Sequence, residues 1–155
     1  MANSFEIIRY KQQIMSMFIN NDEIIRLIDA KDFENTEDLI NENIFYFLRV
    51  PEAPEEEKTY ICIEVDIPDT GSVYNNLMRE LIVTIYIITH ENLMATPSGT
   101  RTDLLSAEID KLLSSQRIIG KTKMELLTNI ANGIGVKHRC RIMTFTVQDV
   151  AEGCK

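Results

Sequence analysis

The chain has 155 residues, 45% apolar and 26% charged, which are ordinary globular values and enough material for one real core. Its net charge of −8 excludes a protein that grips phosphate or anionic membrane through clustered Lys and Arg, although a surface that lets DNA slide past without sticking remains open. Cys62, Cys140 and Cys154 form no CxxC pair, residues 1–20 lack an export pattern, and no apolar run reaches membrane-spanning length. The expectation is therefore a soluble protein made in a reducing cytoplasm, with no membrane partner.

Residues 3–19 read as a helix capped by Ser4, with Phe5, Ile8, Met15 and Phe18 sharing a face and Asn20-Asn21 ending it. Residues 22–29 make a short second helix of packing residues, among them Ile24, Leu27 and Ile28. Residues 36–41 (TEDLIN) read as one capped turn. Ile44, Phe45, Tyr46 and Phe47 then stand in a row, and Pro51 and Pro54 forbid regular ladder pairing after them because proline lacks an amide proton. Residues 52–69 hold seven acids against the single base Lys58. That segment is either a solvated loop or an acidic contact or lumen surface.

Residues 60–67 alternate, with Ile61, Ile63, Val65 and Ile67 on one side and Tyr60, Cys62, Glu64 and Asp66 on the other, the pattern of a half-buried strand. Residues 68–76 (PDTGSVYNN) read as a loop or hairpin tip. Residues 79–90 form a longer strand. Leu81, Val83, Ile85 and Ile87 make one apolar face, and Ile82, Tyr86 and Ile88 make the other face largely apolar too. Such a strand is central in its sheet or buried against another subunit. Residues 90–101 form a loop of functional length.

Residues 100–115 (TRTDLLSAEIDKLLSS) form an amphipathic helix capped by Thr102. Leu105, Ile109, Leu112 and Leu113 make its apolar stripe, and Asp103 complements the helix dipole. Gly120 marks a turn, residues 123–130 a third strand, Asn132-Gly133 with Gly135 a turn, and residues 139–150 a fourth strand. The tail at 151–155 is frayed. The sum is an α+β fold: a mainly antiparallel sheet of about four strands, one amphipathic helix packed on it, and N-terminal helices. The chain reads as a single domain over 1–155, with a helical part at 1–42 and a sheet-plus-helix core at 43–150.

No catalytic constellation survives inspection. His90 and His138 belong to no metal-spacing motif, no P-loop, GxGxxG or GxSxG occurs, and Cys62 and Cys140 lie inside strands with no neighbour that would activate a thiol. Glu64 and Asp66 share a strand face but bring no acid–base partner and no stacking tryptophan. The expectation is a non-enzyme with no cofactor and no metal. Assembly does leave a trace. An acidic stretch at 52–69 and a basic patch at Lys137, Arg139 and Arg141 suit head-to-tail contacts, or merely solvate the fold.

At NIFYFLRVPEAPEEEKTYICIEVDIP (43–68), RELIVTIYIITHENLM (79–94) and TRTDLLSAEIDKLL (100–113), the chain resembles the small neck proteins of tailed bacteriophages and prophages of Gram-positive bacteria. These include tail terminators and head–tail connectors, and the resemblance covers roughly residues 40–150. It implies a structural virion protein forming a ring, typically hexameric, at the head–tail junction. Such a ring terminates the tail tube or connects it to the head, meets the tube and the connector or collar proteins, and lets double-stranded DNA pass through its lumen.

On that reading the subunit contacts are expected at Ile82, Tyr86, Ile88, His90, Arg101, Arg139 and Arg141. An acidic lumen or contact surface is expected at Glu55, Glu56, Glu57, Glu64 and Asp66. The alternatives are a ligand- or partner-binding α+β module and an enzyme built around Glu64, Asp66 and His90.

Overall fold

The structure is a computed structural model that describes residues 4–68 and 78–150. The expected hairpin tip, beyond Pro68, and the expected tail lie outside the described residues. In chain order the elements are α1 (Ser4–Ile19), α2 (Asp22–Ile28), a 3₁₀ turn (Thr36–Leu39), β1 (Ile44–Phe45), β2 (Thr59–Asp66), β3 (Met78–His90), a 3₁₀ turn (Glu91–Leu93), β4 (Ala95–Thr96), β5 (Gly99–Thr100), α3 (Arg101–Ser114), β6 (Glu125–Ile134) and β7 (His138–Val150).

The fold is α+β, as its sequence implies. The main sheet has five strands in the order β1-β2-β3-β7-β6, and β4 pairs with β5 in a small separate hairpin. The sheet is mixed. β1 lies parallel to β2, Ile44 opposite Ile61, and every other neighbour is antiparallel. A two-residue strand is too short to carry a periodicity, so the sequence reading of four strands becomes five.

Alternation puts Ile61, Ile63 and Val65 of β2, Leu81, Val83, Ile85 and Ile87 of β3, and Met143, Phe145 and Val147 of β7 on one face. Three helices cover that face. From α3 come Leu105, Ile109 and Leu113, the expected stripe. From α1 come Tyr10, Ile14, Met15 and Phe18. Phe5 and Ile8, expected to face the core with them, are instead exposed. At 100° per residue they lie off the stripe that Tyr10, Ile14 and Phe18 make. The cap of α3 is Thr100, and Thr102 is buried in its first turn. Asn21 caps α2 by accepting from the Ile24 amide at 2.9 Å, and Asp29 ends it in the left-handed region at φ 51°.

Two further details differ from the sequence reading. β6 continues through Asn132 and Gly133 to Ile134, so the turn falls on Gly135 at φ 73°. The loop at 90–101 is folded into a 3₁₀ turn and the β4–β5 hairpin. Gly120 does mark a turn. It sits at φ 67°, and a Cβ there would stand 2.7 Å from the Gln148 carbonyl oxygen.

A buried charge cluster fastens α1 to the sheet. Arg79, fully buried, donates to Glu6 and, at 3.0 Å, to Asp149; the Tyr10 hydroxyl also donates to Asp149. Burial works against the guanidinium charge, and the two carboxylates more than offset it, so Arg79 stays protonated. Burial and then Asp149 raise the Tyr10 hydroxyl above its ordinary range. Arg79→Leu would take the buried cation from between Asp149 and Glu6, leaving Glu6 the largely exposed Arg9 at 3.5 Å, and should destabilise the fold by about 3–5 kcal/mol in urea unfolding. Arg26→Leu, which loses only an exposed pair with Glu23, should leave the midpoint almost unmoved. Equal midpoints for the two variants would rule out the cluster as the anchor of α1.

Candidate functional site

With one face of the sheet buried under helices, the other is fixed by alternation. It carries Tyr60, Cys62, Glu64 and Asp66 from β2, Ile82, Thr84, Tyr86 and Ile88 from β3, Cys140, Ile142 and Thr144 from β7, and Ile130 from β6. Part of this face is covered by residues 45–57 of the same chain. Phe45 packs with Tyr60, Cys62, Ile88 and Cys140. The Arg49 guanidinium lies over the rings of Phe45 at 5.1 Å and Tyr60 at 5.5 Å, and its backbone amide donates to Cys62 Sγ at 3.4 Å.

Two histidines strap the far end of the segment down. His90 Nδ1 accepts from the Asn92 amide at 3.1 Å, which leaves the ring proton on Nε2 to donate to the Pro54 carbonyl at 2.9 Å. His138 Nε2 donates to the Glu56 carbonyl at 2.9 Å, and the two rings meet edge to face at 5.1 Å. Proline-bearing residues 51–57, which have no ladder of their own, thus obtain partners from β3 and β7. Toward β6 the face is open: Ile82, Tyr86 and Ile142 are half-buried and Ile130 is exposed.

The expected contact residues divide accordingly. Ile82 and Tyr86 stand on the open part. Ile88 and His90 are buried beneath the chain's own strap. Arg101 turns inward, donating to the carbonyls of Leu93, at 2.8 Å, and Leu27, and so ties the 3₁₀ turn and α2 to the start of α3. Arg139 and Arg141 lie on the helix side, where acids of the same chain answer them. Arg141 meets Asp103 at 2.9 Å and Asn129 Oδ1 at 3.0 Å, and Arg139 approaches Glu91 at 3.9 Å. Glu91, Asp103, Arg139 and Arg141 border a hollow of about 560 Å³ between α3 and β6.

Among the acids, Glu55, Glu57 and Asp66 are exposed. Glu56 reaches Arg49 at 3.7 Å, and Glu64 is held by Lys11 at 3.1 Å and by the Leu48 amide at 3.2 Å. Glu64, Asp66 and His90 do not converge. Glu64 is opposite Thr84, and His90 lies six positions further along β3, about 20 Å away. Among the described residues no group of three His, Cys, Asp or Glu is placed to hold a metal ion, and no helix is long and apolar enough to cross a membrane.

What the sequence reading missed is the strap. Its one signal is an aromatic run followed by a basic residue and two prolines. Burial pushes the Cys62 and Cys140 thiols on this face up to about 11, the opposite of an activated thiol.

The fold and this face define a small α+β domain whose open surface is a half-covered sheet flanked by bare apolar side chains. The family model YomW matches residues 12–147, and the chain belongs to that family. No curated protein sequence matches it. Among solved structures, a chain of the "Virion of native gene transfer agent (GTA) particle" has the same fold, with a TM-score of 0.63 and 13% identity over 96% of this chain and all of that one.

The buried thiols fix a pH dependence. In an unfolded chain they ionise near 9, while the fold keeps them protonated to about 11. The folded state therefore binds more protons in that window. Stability should be full below pH 9 and fall as pH rises toward 11, with Tyr10, Tyr60 and Tyr86, all raised by burial first, pushing the same way. Iodoacetamide at pH 8 should spare Cys62 and Cys140 in the folded protein, and His90→Phe with His138→Phe should speed Cys62 labelling severalfold by releasing the strap. Unchanged labelling in the double variant would show that the histidines do not hold it.

Proposed function

We propose that this chain is a structural protein of a phage or phage-like particle. It acts as a ring subunit, hexameric by the family resemblance, at the head–tail junction. There it terminates the tail tube or joins it to the head, contacting the tube on one side and connector or collar proteins on the other. Double-stranded DNA crosses its lumen without specific binding. The observation that carries this reading is the fold shared over nearly the whole chain with a chain of the gene transfer agent virion. The net charge of −8 supports it, because a negative lining repels phosphate and lets DNA move. Glu55, Glu57 and Asp66, exposed acids on the strap and at the end of β2, are the residues proposed for such a lining.

An open apolar sheet surface supports assembly more than catalysis. Monomeric proteins seldom leave an exposed Ile130 beside the half-buried Ile82, Tyr86 and Ile142 on one open stretch of sheet. The test is removal of the chain from particles that carry it. Filled heads and unjoined tails, or tubes of unregulated length, are expected in electron micrographs. Normal particles would refute a neck role. In solution, light scattering after gel filtration with negative-stain imaging should find rings, alone or on added tail tubes. A discrete dimer in both settings would favour a binding module.

A further inference from the structure

Eight large apolar side chains stand exposed among the described residues, and they fall in two places. Leu127, Ile130 (59% exposed) and Val136 (79%) lie on β6 and its turn into β7, at one edge of the sheet. Phe5 (79%), Ile8 (55%), Phe47, Leu48 and Val50 lie on α1 and on the segment after β1, at the opposite edge. Helix α1 packs over β2 there, and the Lys11 ammonium binds it to the Tyr46 carbonyl at 2.6 Å.

The two edges differ in shape as well as sequence. The first is the edge strand β6 and its turn into β7. That strand pairs only with β7 among the described residues, and a register shift between Leu126 and Thr128 accommodates Leu127 as an extra residue. The second is concave, with Ile7, Ile8, Lys11, Gln12 and Tyr46 lining a hollow of about 320 Å³.

We propose that these edges are the two halves of one head-to-tail contact, with the β6–β7 hairpin of one copy docking against the α1–β1 edge of the next. This deepens the ring reading and rests on it. The occupant of each edge is a second copy because the chain itself supplies both surfaces. Together they would remove on the order of 1,000 Å² from water, the threshold that a specific interface has to clear. Because the two surfaces are different patches, the contact is heterologous, the type that generates rings when the rotation closes. It also covers an otherwise bare edge strand, which would invite uncontrolled pairing. The contact lies at the two ends of the sheet, away from the central strand and from the arginines that are already paired within the chain.

The test uses Ile130→Asp and Ile8→Asp in the full chain, both at exposed positions, with thermal melting to check the fold and light scattering to read mass. Each variant alone should be monomeric at concentrations where the wild type assembles. Mixed one to one, they should form a heterodimer and nothing larger, because one intact hairpin meets one intact α1 edge. If Ile8→Asp assembles like the wild type while Ile130→Asp does not, the hairpins meet two-fold and the proposal is wrong. If both assemble like the wild type, the contact lies elsewhere and the ring reading stands. If the wild type stays monomeric to about 1 mM and on tail tubes, both fall.

Should an aspartate variant fail to fold, Ile8→Cys with Ile130→Cys in a Cys154→Ser background answers the same question. Oxidation should give a ladder of dimers, trimers and longer chains, which neither single cysteine gives. A double variant that stays monomeric on the gel while wild-type assembly is intact overturns the contact.

Discussion

The antiparallel ladder between β3 and β7 is the constraint on which the rest of the structure depends. Thirteen opposed pairs run from Met78–Val150 to His90–His138, and each residue in β3 meets a partner far along the chain. The ladder sets both faces at once. Val83, Ile85, Met143 and Phe145 are committed to the helices, and Tyr86, Ile88, Cys140 and Ile142 to the other side. A slip of one residue would exchange the two sets, so burial of the helix face holds the register. Each end of the ladder carries a polar lock. At one end Arg79 and Asp149 sit opposite each other and draw in Glu6, which places α1. At the other, His90 and His138 sit opposite each other and hold residues 51–57.

That arrangement explains why the second face is neither a core nor a plain wet surface. A fully open apolar face would drive indiscriminate association. The strap removes Ile88, Cys140 and the two histidines from water with residues that themselves lack ladder partners, and its prolines prevent it from becoming a further strand. What remains open is narrow and lies toward β6. Glu55 and Glu57 stay exposed on the strap while the backbone carbonyls of Pro54 and Glu56 face the sheet. The acidity and the cover are one feature seen from two sides.

Much of this was legible in the sequence where period decides structure. The alternation of β2 and β3 and the stripe Leu105, Ile109 and Leu113 each name their buried side without help from distant residues. What was not legible is pairing between residues far apart. Glu6, Arg79 and Asp149 are separated by 73 and 70 positions, and nothing local marks them as a cluster. Arg141 read as part of a free basic patch because Asp103, its partner, lies on another element. The contact expected on β3 rests on the same kind of local reading. A strand apolar on both sides suggests a subunit interface, and here the second side of β3 is half covered by its own chain. The exposure of Ile8 and Ile130 depends on which of several apolar positions the core leaves out, and composition does not say which.

The proposed contact has an energetic consequence that suits a ring better than a free chain of copies. About 1,000 Å² at roughly 25 cal/mol per Å² gives a gross gain near 25 kcal/mol, of which translational and rotational loss and side-chain ordering take a large part. A single such contact is modest. In an open chain every added copy makes one new contact and loses its freedom once. The copy that closes a ring makes two, and the second forms at the high effective concentration set by the first. Closure thus converts a modest contact into a stable assembly, and a surface that holds several copies in position, such as the end of a tube, favours closure further. A subunit with different surfaces on opposite edges of one rigid sheet has this property because the β3–β7 ladder fixes the angle between them.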